Sequence, residues 1–567
     1  MSDAKQLKAV EALDLLYEFE REPVTEEKLQ PGRYFAGLFA GEHVAGTEFV
    51  IGALFVSWGV NAYDIFVGLL LGNLMAVLTW TFICAPIAVR TRLTLYWFLR
   101  KVAGPTVTAI YNVLNAFLFC ILAGCMITVS ASAVRVPLGI PDQTHWIPTD
   151  FRFVIVVVVV GAVVVTLAIL GFKRLSQFSV VCSPWMFLMF IAGAIALLPA
   201  SGVDIRSWGD FWQIATDKIW TGVRPDGKEP ISFWHVAAFA WICNLAMHGG
   251  LSDMAIFRYA RSYWYGLYSA FGMFLGHYLA WICAGIMGAM SAILLQKSIT
   301  QLDSGSVSTT ALGMSGLIAV ILAGWTTSNP TLYRAGLALQ AVTPGWPRWL
   351  VTLIAGIGTT VVACSPFVFT GLLNFVGYYG LLLMPLGAIA FTEYWIFPKI
   401  GLTRYWIERK GGSLNLPALL SWVVSIAVAI TLEKTGILHL FFLFVPVWIM
   451  TSVLYIVLSY LMGAKDVSPE LPEKIPTAET YAGSKKANLD TTRKEKPYND
   501  PVLIISGLVA ILSLVICLAF SIWVFVSGTA EFRVNLETFH KILIYPSLAY
   551  FISGTIFVIR RDKEVKT

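Results

Sequence analysis

The 567-residue chain has little charge: Asp, Glu, Lys and Arg make up only 13% of it, where a soluble globular domain carries about 25%. With 57% hydrophobic residues and a mean hydropathy of +0.73, too few charged side chains remain to coat soluble domains of ordinary size. That excludes a string of soluble domains and turns length into a count of bilayer crossings. Other absences narrow the class further. No basic stretch precedes a short apolar core at the start; residues 1–33 hold eight acids and five bases, which fits a cytoplasmic tail rather than a cleaved signal peptide. The eight cysteines (Cys84, Cys120, Cys125, Cys182, Cys243, Cys283, Cys364 and Cys517) sit in apolar stretches without metal-ligand spacing. They read as small buried hydrophobes, not as a disulfide framework. His-Glu-x-x-His, Gly-x-Ser-x-Gly and P-loop motifs are missing, which excludes those hydrolase and ATP-driven chemistries and argues against an enzyme. No repeated filter or ring of like charge marks a channel. The net charge of +6 does not point to nucleic acid; its distribution carries the information.

What the chain has instead is long apolar runs. A bilayer core of ~30 Å needs about 20 apolar helical residues, and strands of a membrane barrel would be shorter and alternating. Fourteen segments qualify: 35–60, 64–89, 105–134, 152–171, 178–199, 231–257, 264–295, 309–331, 349–366, 369–392, 416–433, 436–463, 502–527 and 542–559. The expected fold is therefore an all-α integral membrane protein of about fourteen spans, numbered here in that order. With the N-terminus inside, 30 of the 40 Lys and Arg residues fall on inside segments, Arg258 and Arg334 among them. This predicts a plasma (inner) membrane protein with both termini cytoplasmic. Leu7 to Phe19 suits an amphipathic surface helix. Trp208, Trp212 and Trp220 in loop 200–230 read as interfacial anchors. The stretch 464–501, rich in Lys, Glu, Pro and Thr, reads as a flexible cytoplasmic linker. The chain thus divides into a tail (1–33), a ten-helix core (34–392), helices 11–12 (393–463), the linker, and helices 13–14 with a last tail (502–567).

Polar residues inside spans are costly and therefore informative. Span 1 packs Gly37, Gly41, Glu42, His43, Gly46 and Glu48 into twelve residues, and span 6 runs Asn244 to Asp253 through His248-Gly249-Gly250. Each glycine weakens a helix by about 1 kcal/mol relative to alanine, and unwound backbone at membrane depth survives only where it is buried or lines a cavity. Two such segments five spans apart match inverted-repeat transporters, whose paired broken helices hold substrate and coupling ion. The competing reading is close packing through small residues. Span 8 carries Trp325-Thr326-Thr327-Ser328-Asn329 in a polar run that ends in Pro330, next to the expected end of the span at 331. Such hydroxyls often bond back to the i−4 carbonyl, but adjacent threonines beside carbonyls freed by a break also supply hard oxygen ligands for an alkali cation.

At these segments the chain resembles the nucleobase:cation symporters of the purine, cytosine, allantoin and hydantoin permease group. The resemblance rests on Tyr63-Asp64-Ile65-Phe66 with Gly68, Gly72 and Asn73; on Gly250-Leu251-Ser252 with Phe257-Arg258-Tyr259-Ala260-Arg261; and on Trp325-Thr326-Thr327 with Leu332-Tyr333 and Ala335-Gly336-Leu337. It spans residues 35 to about 390. It implies a five-plus-five inverted-repeat symporter fold with broken helices 1 and 6 (repeats about 34–199 and 231–392) and extra C-terminal helices. It also implies alternating access, a small-molecule substrate, and a sodium ion or proton as coupling ion. By position, sodium would be held by the carbonyls of Gly41, Val44 and Ala323 and the hydroxyls of Thr326 and Thr327. Relatives stack the substrate on a span-3 tryptophan; here 112–120 has none, leaving Phe119 or Phe117, with Asn115 one turn earlier on the same face. Ala45, Glu48, His248, Gly249 and Asn374 complete the expected substrate set. The aspartate expected three residues before Arg258 is Ala255, with Asp253 nearby. These departures weigh against a plain cytosine permease and leave another small nitrogenous solute (an amine, amino acid or vitamin) open. A buried Glu48 can carry a proton, bind an amino-bearing substrate, pair with His43 or His248, or bond freed backbone. Glu42 and His43 read as structural, and His235 and His277 as satisfied boundary or core histidines.

Overall fold

The structure is a computed structural model that describes residues 16–141, 143, 145–366, 372–470, 472–479 and 500–564. Every apolar run forms helix, and among the described residues the only strand-like feature is an isolated bridge between Asn61 and Thr221. Helices are the spanning element that satisfies each backbone group within its own segment, as a lipid surrounding requires. Ten helices are long and apolar enough to cross a membrane, eleven when the bent pair Gly32–His43 and Glu48–Ser57 counts as one. The chain is a multi-pass membrane protein.

The remaining three of the fourteen predicted spans are helical but fall short of that measure, each for its own reason. Span 6 is cut into Phe233–Ile242, Leu245–His248 and Met254–Phe257. Span 9, Arg348–Ala363, has 16 residues. Span 8, Met314–Val342, has 29 residues, but the polar run 325–331 dilutes its hydropathy. Span 8 also corrects an expectation, because the helix passes through Pro330 and continues to Val342. Proline lacks the N–H that would reach the Thr326 carbonyl. The helix nonetheless continues, packed along span 3, with the Thr331 hydroxyl donating back to the neighbouring Thr327 carbonyl at 2.8 Å. Arg334, expected in a loop, therefore stands inside the bundle.

The two breaks have visible causes. Span 1 bends by 52° between His43 and Glu48. Span 6 unwinds as its ladder widens: Gly250 N–H reaches Leu245 O, Ser252 reaches Ala246 O and Asp253 reaches Met247 O, before Leu251 takes φ +62. Span 2 (Ala62–Thr91) lies against span 6 through Gly72, where an added Cβ would sit 2.1 Å from the Ala237 carbonyl oxygen. Backbone cannot yield as a side chain can. Gly72→Ala is therefore expected to cost about 1–3 kcal/mol through overpacking, read as a lowered unfolding temperature of the purified protein in detergent.

The end of the bundle that meets the N-terminal segment is tied down by residues that sequence had placed elsewhere. Residues 1–15, most of the expected amphipathic helix, lie outside the described residues. Leu16 to Phe19 are not helical, and this segment is strapped to the bundle. Glu18 Oε2 accepts from Tyr259 at 2.6 Å and Tyr333 at 2.8 Å, Arg258 donates to the Phe19 carbonyl, and Arg348 donates to the Leu16 carbonyl. Arg258, counted among loop bases, is fully buried. Of the expected linker, 480–499 lies outside the described residues, while the part before it packs: Glu473 meets Lys101 and Arg409, each at 2.9 Å. Trp220 is a correction of a different kind. It is 1% exposed and packs edge-on to Phe66, so it is a core residue; Trp208, 71% exposed, keeps the character of an anchor.

Candidate functional site

The break in span 1 ends a helix at His43, and a helix end leaves its last carbonyls without intrahelical donors. Val44 N–H still reaches Ala40 O, but among the described residues no backbone N–H reaches the carbonyls of Gly41, Glu42 or His43. Span 8 supplies a partner. Thr327 Oγ1 lies 2.8 Å from the Glu42 carbonyl oxygen and 2.9 Å from that of Ala323, and Thr326 Oγ1 lies 3.1 Å from Ala323 O. A hydroxyl has one proton, so Thr327 can donate to only one of its two carbonyls at a time. The result is a buried cradle of hard oxygens where span 1 meets span 8. Thr326, Thr327 and Ala323 are brought together, and Glu42 contributes its carbonyl where Gly41 and Val44 were expected. Neither of those two shows a contact with the threonines, although Gly41 stands one residue away with its carbonyl unpaired by backbone. Among the described residues no three His, Cys, Asp or Glu are grouped to hold a metal ion.

Directly beside the cradle is a charged clamp that sequence reasoning missed. Arg334 of span 8 holds Glu42 with both terminal nitrogens, at 2.6 and 3.0 Å, and reaches Asp253 of the span-6 break through Nε at 2.9 Å and Nη2 at 2.5 Å. Trp80 of span 2 donates to the other Asp253 oxygen at 2.6 Å. Arg334 and Asp253 are fully buried and Glu42 is 5% exposed. The bidentate fork suits guanidinium alone among the basic side chains. One arginine thus joins both breaks to span 8. The missed signal was the placement of Arg334 four residues past Pro330, taken as the far side of a helix end.

The expected substrate residues divide into three places. Asn115 and Phe119 of span 3 (Gly104–Arg135) are fully buried. The Asn115 amide and the hydroxyls of Tyr96, Tyr111 and Ser252 face one another beside the span-6 break and are only loosely paired within that group. An amide and three hydroxyls have more donors and acceptors than these pairings use, so the cluster keeps capacity for a polar ligand. Phe119 meets Tyr379 of span 10 edge-on, with centroids 6.0 Å apart. Ala45 lies in the span-1 break. His248 is packed between Trp80 at 4.9 Å and Phe444 at 6.0 Å, with Nε2 on the Trp241 carbonyl at 2.8 Å, and Gly249 lies against Phe444 and Leu245.

Glu48 and Asn374 stand apart from that group. Glu48, first residue of the second half of span 1, is bonded by the Trp281 indole of span 7. Asn374, at the start of span 10, lines a cavity of about 590 Å³ with Trp58, Arg224, Tyr378, Lys434 and His439, residues from the ends of spans and the loops between them.

No protein family model matches the chain, and no curated protein sequence matches it. Solved structures do. Mhp1, a nucleobase-cation-symport-1 family transporter in a closed conformation with bromovinylhydantoin bound, superimposes with a TM-score of 0.61 at 17% identity, over 82% of this chain and 99% of that one. The inward-facing conformation of Mhp1 gives 0.58 at 17% identity over 82% and 98%. A sodium-coupled sialic acid symporter in a substrate-bound outward-open state gives 0.57 at 13% identity over 80% and 96%. The chain therefore has the all-α, five-plus-five inverted-repeat fold of these transporters, with its first and sixth spans broken and further helices after the core.

Proposed function

We propose that the chain is a secondary active symporter that moves a nucleobase or related nitrogen heterocycle together with a cation by alternating access. The observation that carries this reading is the oxygen cradle at the meeting of the span-1 break with Thr326 and Thr327. A cation there joins a helix end that must move to a helix that is packed along span 3. Ala323, Thr326, Thr327 and the Glu42 carbonyl, with Gly41 and Val44 at its edge, are the residues assigned to sodium. Ala45, Asn115, Phe119, His248 and Gly249 are assigned to the substrate, and Asn374 to the separate cavity at the ends of the spans. The repeats are about 34–199 and 231–392, followed by helices 11–14. Both termini are cytoplasmic, at the plasma membrane. That orientation is supported by the basic residues even after Arg258 and Arg334 are removed from the count, since inside bases still exceed outside ones by more than two to one.

Coupling then means that sodium and solute each bind better to one conformer and so strengthen each other's binding. A second reading, another small nitrogenous solute such as an amine or amino acid, is favoured by the aromatic arrangement: Tyr379 already engages Phe119 edge-on, and no span-3 tryptophan offers a second face. The test is uptake into reconstituted vesicles of labelled cytosine, uracil, hypoxanthine, allantoin, hydantoin and amino acids, with and without an inward sodium gradient. Accumulation above the outside concentration is expected for at least one solute and only with the gradient. Flux that merely dissipates a solute gradient would contradict symport, and the solute accumulated decides between the two readings.

A further inference from the structure

The oxygen cradle leaves unused a second cluster of ionisable groups on the other side of the span-1 break. Glu48 is 3% exposed, and among the described residues its nearest basic neighbour is His277 of span 7, with Nε2 3.9 Å from Oε1. Trp281 donates to the other carboxyl oxygen, and His277 lies flat on the Trp281 ring, 4.3 Å away at 11°. Position at a helix start favours an anion there by about 0.3–1 kcal/mol, far less than the several kcal/mol that removal of a carboxylate from water costs. Ionised Glu48 beside neutral His277 would therefore be a poorly compensated buried charge.

His43, the last residue before the break, lies beside the pair. Its ring lies 5.1 Å from that of His277. Its Nδ1 is 2.7 Å from the Phe39 carbonyl oxygen, which can only accept, so Nδ1 carries the hydrogen and Nε2 is the basic nitrogen of the neutral ring. That Nε2 has no protein partner, and neither has His277 Nδ1. The segment of span 7 that bears His277, Phe271–Ala280, is π-helical, a distortion frequent at functional positions.

We propose that Glu48 and His277 form a proton-binding site separate from the oxygen cradle, and that its occupancy is coupled to the movement of span 1 against span 7. The charged and titratable groups around it are few. Cys243 of span 6 neighbours Glu48. His43 is flanked by Glu42, Asp253 and Arg334, and by His248 across Trp80. Within that clamp two carboxyl groups share one guanidinium. Binding transfers no electrons: one proton from solvent joins the Glu48–His277 pair, and the same proton leaves when the pair separates or becomes exposed to the other side. The inference rests on the symporter reading for its role in transport, but the binding itself does not.

The test begins with infrared difference spectra of the purified wild-type protein between pH 5 and pH 9 in sodium-free buffer. A carboxylic acid C=O band that titrates in this interval is expected in wild type and lost in Glu48→Gln. His277→Gln, which retains a flat side chain against Trp281, is expected to keep the band and move the pH at which it disappears. The variants' thermal unfolding is followed in parallel, so that a Glu48→Gln protein too unstable to study leaves the His277→Gln shift as the deciding result. A band that is unchanged in Glu48→Gln, or a titration that His277→Gln does not move, overturns the site. In vesicles loaded with a pH dye, the solutes accumulated in the uptake assay are expected to bring protons in with wild type and not with Glu48→Gln. If no solute in that panel is accumulated while the band titrates as described, the proton site stands and the transport reading fails.

Discussion

Arg334→Gln is expected to be the most damaging single substitution in the membrane core. Removal of the guanidinium leaves Glu42 and Asp253 facing each other with no basic group between them, both of them buried. Loss of one partner of a buried ion pair costs about 3–5 kcal/mol because the other charge stays behind unpaired, and here two are left. The glutamine amide can replace at most one or two of the four close contacts that Arg334 makes. The expected result is a large fall in unfolding temperature or loss of monodisperse protein in detergent. Arg334→Lys is expected to recover only part of it, since an ammonium cannot present the fork that meets both carboxylates. Adding Asp253→Asn to Arg334→Gln removes one stranded charge and is expected to restore some stability. An Arg334→Gln protein as stable as wild type would mean that the clamp does not hold the two breaks together.

Thr327→Ala is expected to leave the fold intact and to weaken the response to sodium. The position is 9% exposed and the change removes one hydroxyl and one methyl. The hydroxyl is the group that lies within 2.9 Å of two carbonyls from different spans. A contact between a charged group and a neutral oxygen is worth about 1.5–3 kcal/mol, so the sodium concentration for half-maximal effect is expected to rise by roughly ten- to a hundredfold. Thr327→Ser keeps the oxygen and is expected to lie close to wild type. An unchanged sodium dependence in Thr327→Ala would remove the cradle from the mechanism.

The fold was largely legible because its signal is physical and repeated. Long apolar runs have few alternatives in a bilayer, and glycine-rich polar segments at positions 1 and 6 marked the two breaks at the residues where they occur. The site was legible where it depends on residue type: Thr326 and Thr327 reach the carbonyls of Ala323 and of the span-1 end. It was illegible where it depends on direction. Arg334 was placed in a loop because proline usually stops a helix, yet span 8, packed along span 3, continues past Pro330. His277 was read as an ordinary buried histidine, because nothing in its own segment reveals that Trp281 and Glu48 lie against it. Trp220 looked like an anchor from its loop position, while packing against Phe66 buries it. Partners more than two hundred residues apart, such as Glu48 and Trp281 or Glu42 and Arg334, leave no local pattern to read.

Unfolding of the purified protein, measured against purines, pyrimidines, hydantoins, amines and amino acids with sodium or with choline as the cation, tests cation-coupled transport most directly. A solute bound only by the native state stabilises it by mass action, by about 2.7 kcal/mol at a hundred times its Kd, and coupling requires sodium to enlarge that effect. At least one nitrogen heterocycle is expected to raise the unfolding temperature in sodium and to do so much less in choline. Stabilisation of equal size in both salts, or none by any solute, would contradict a sodium-coupled carrier of such compounds.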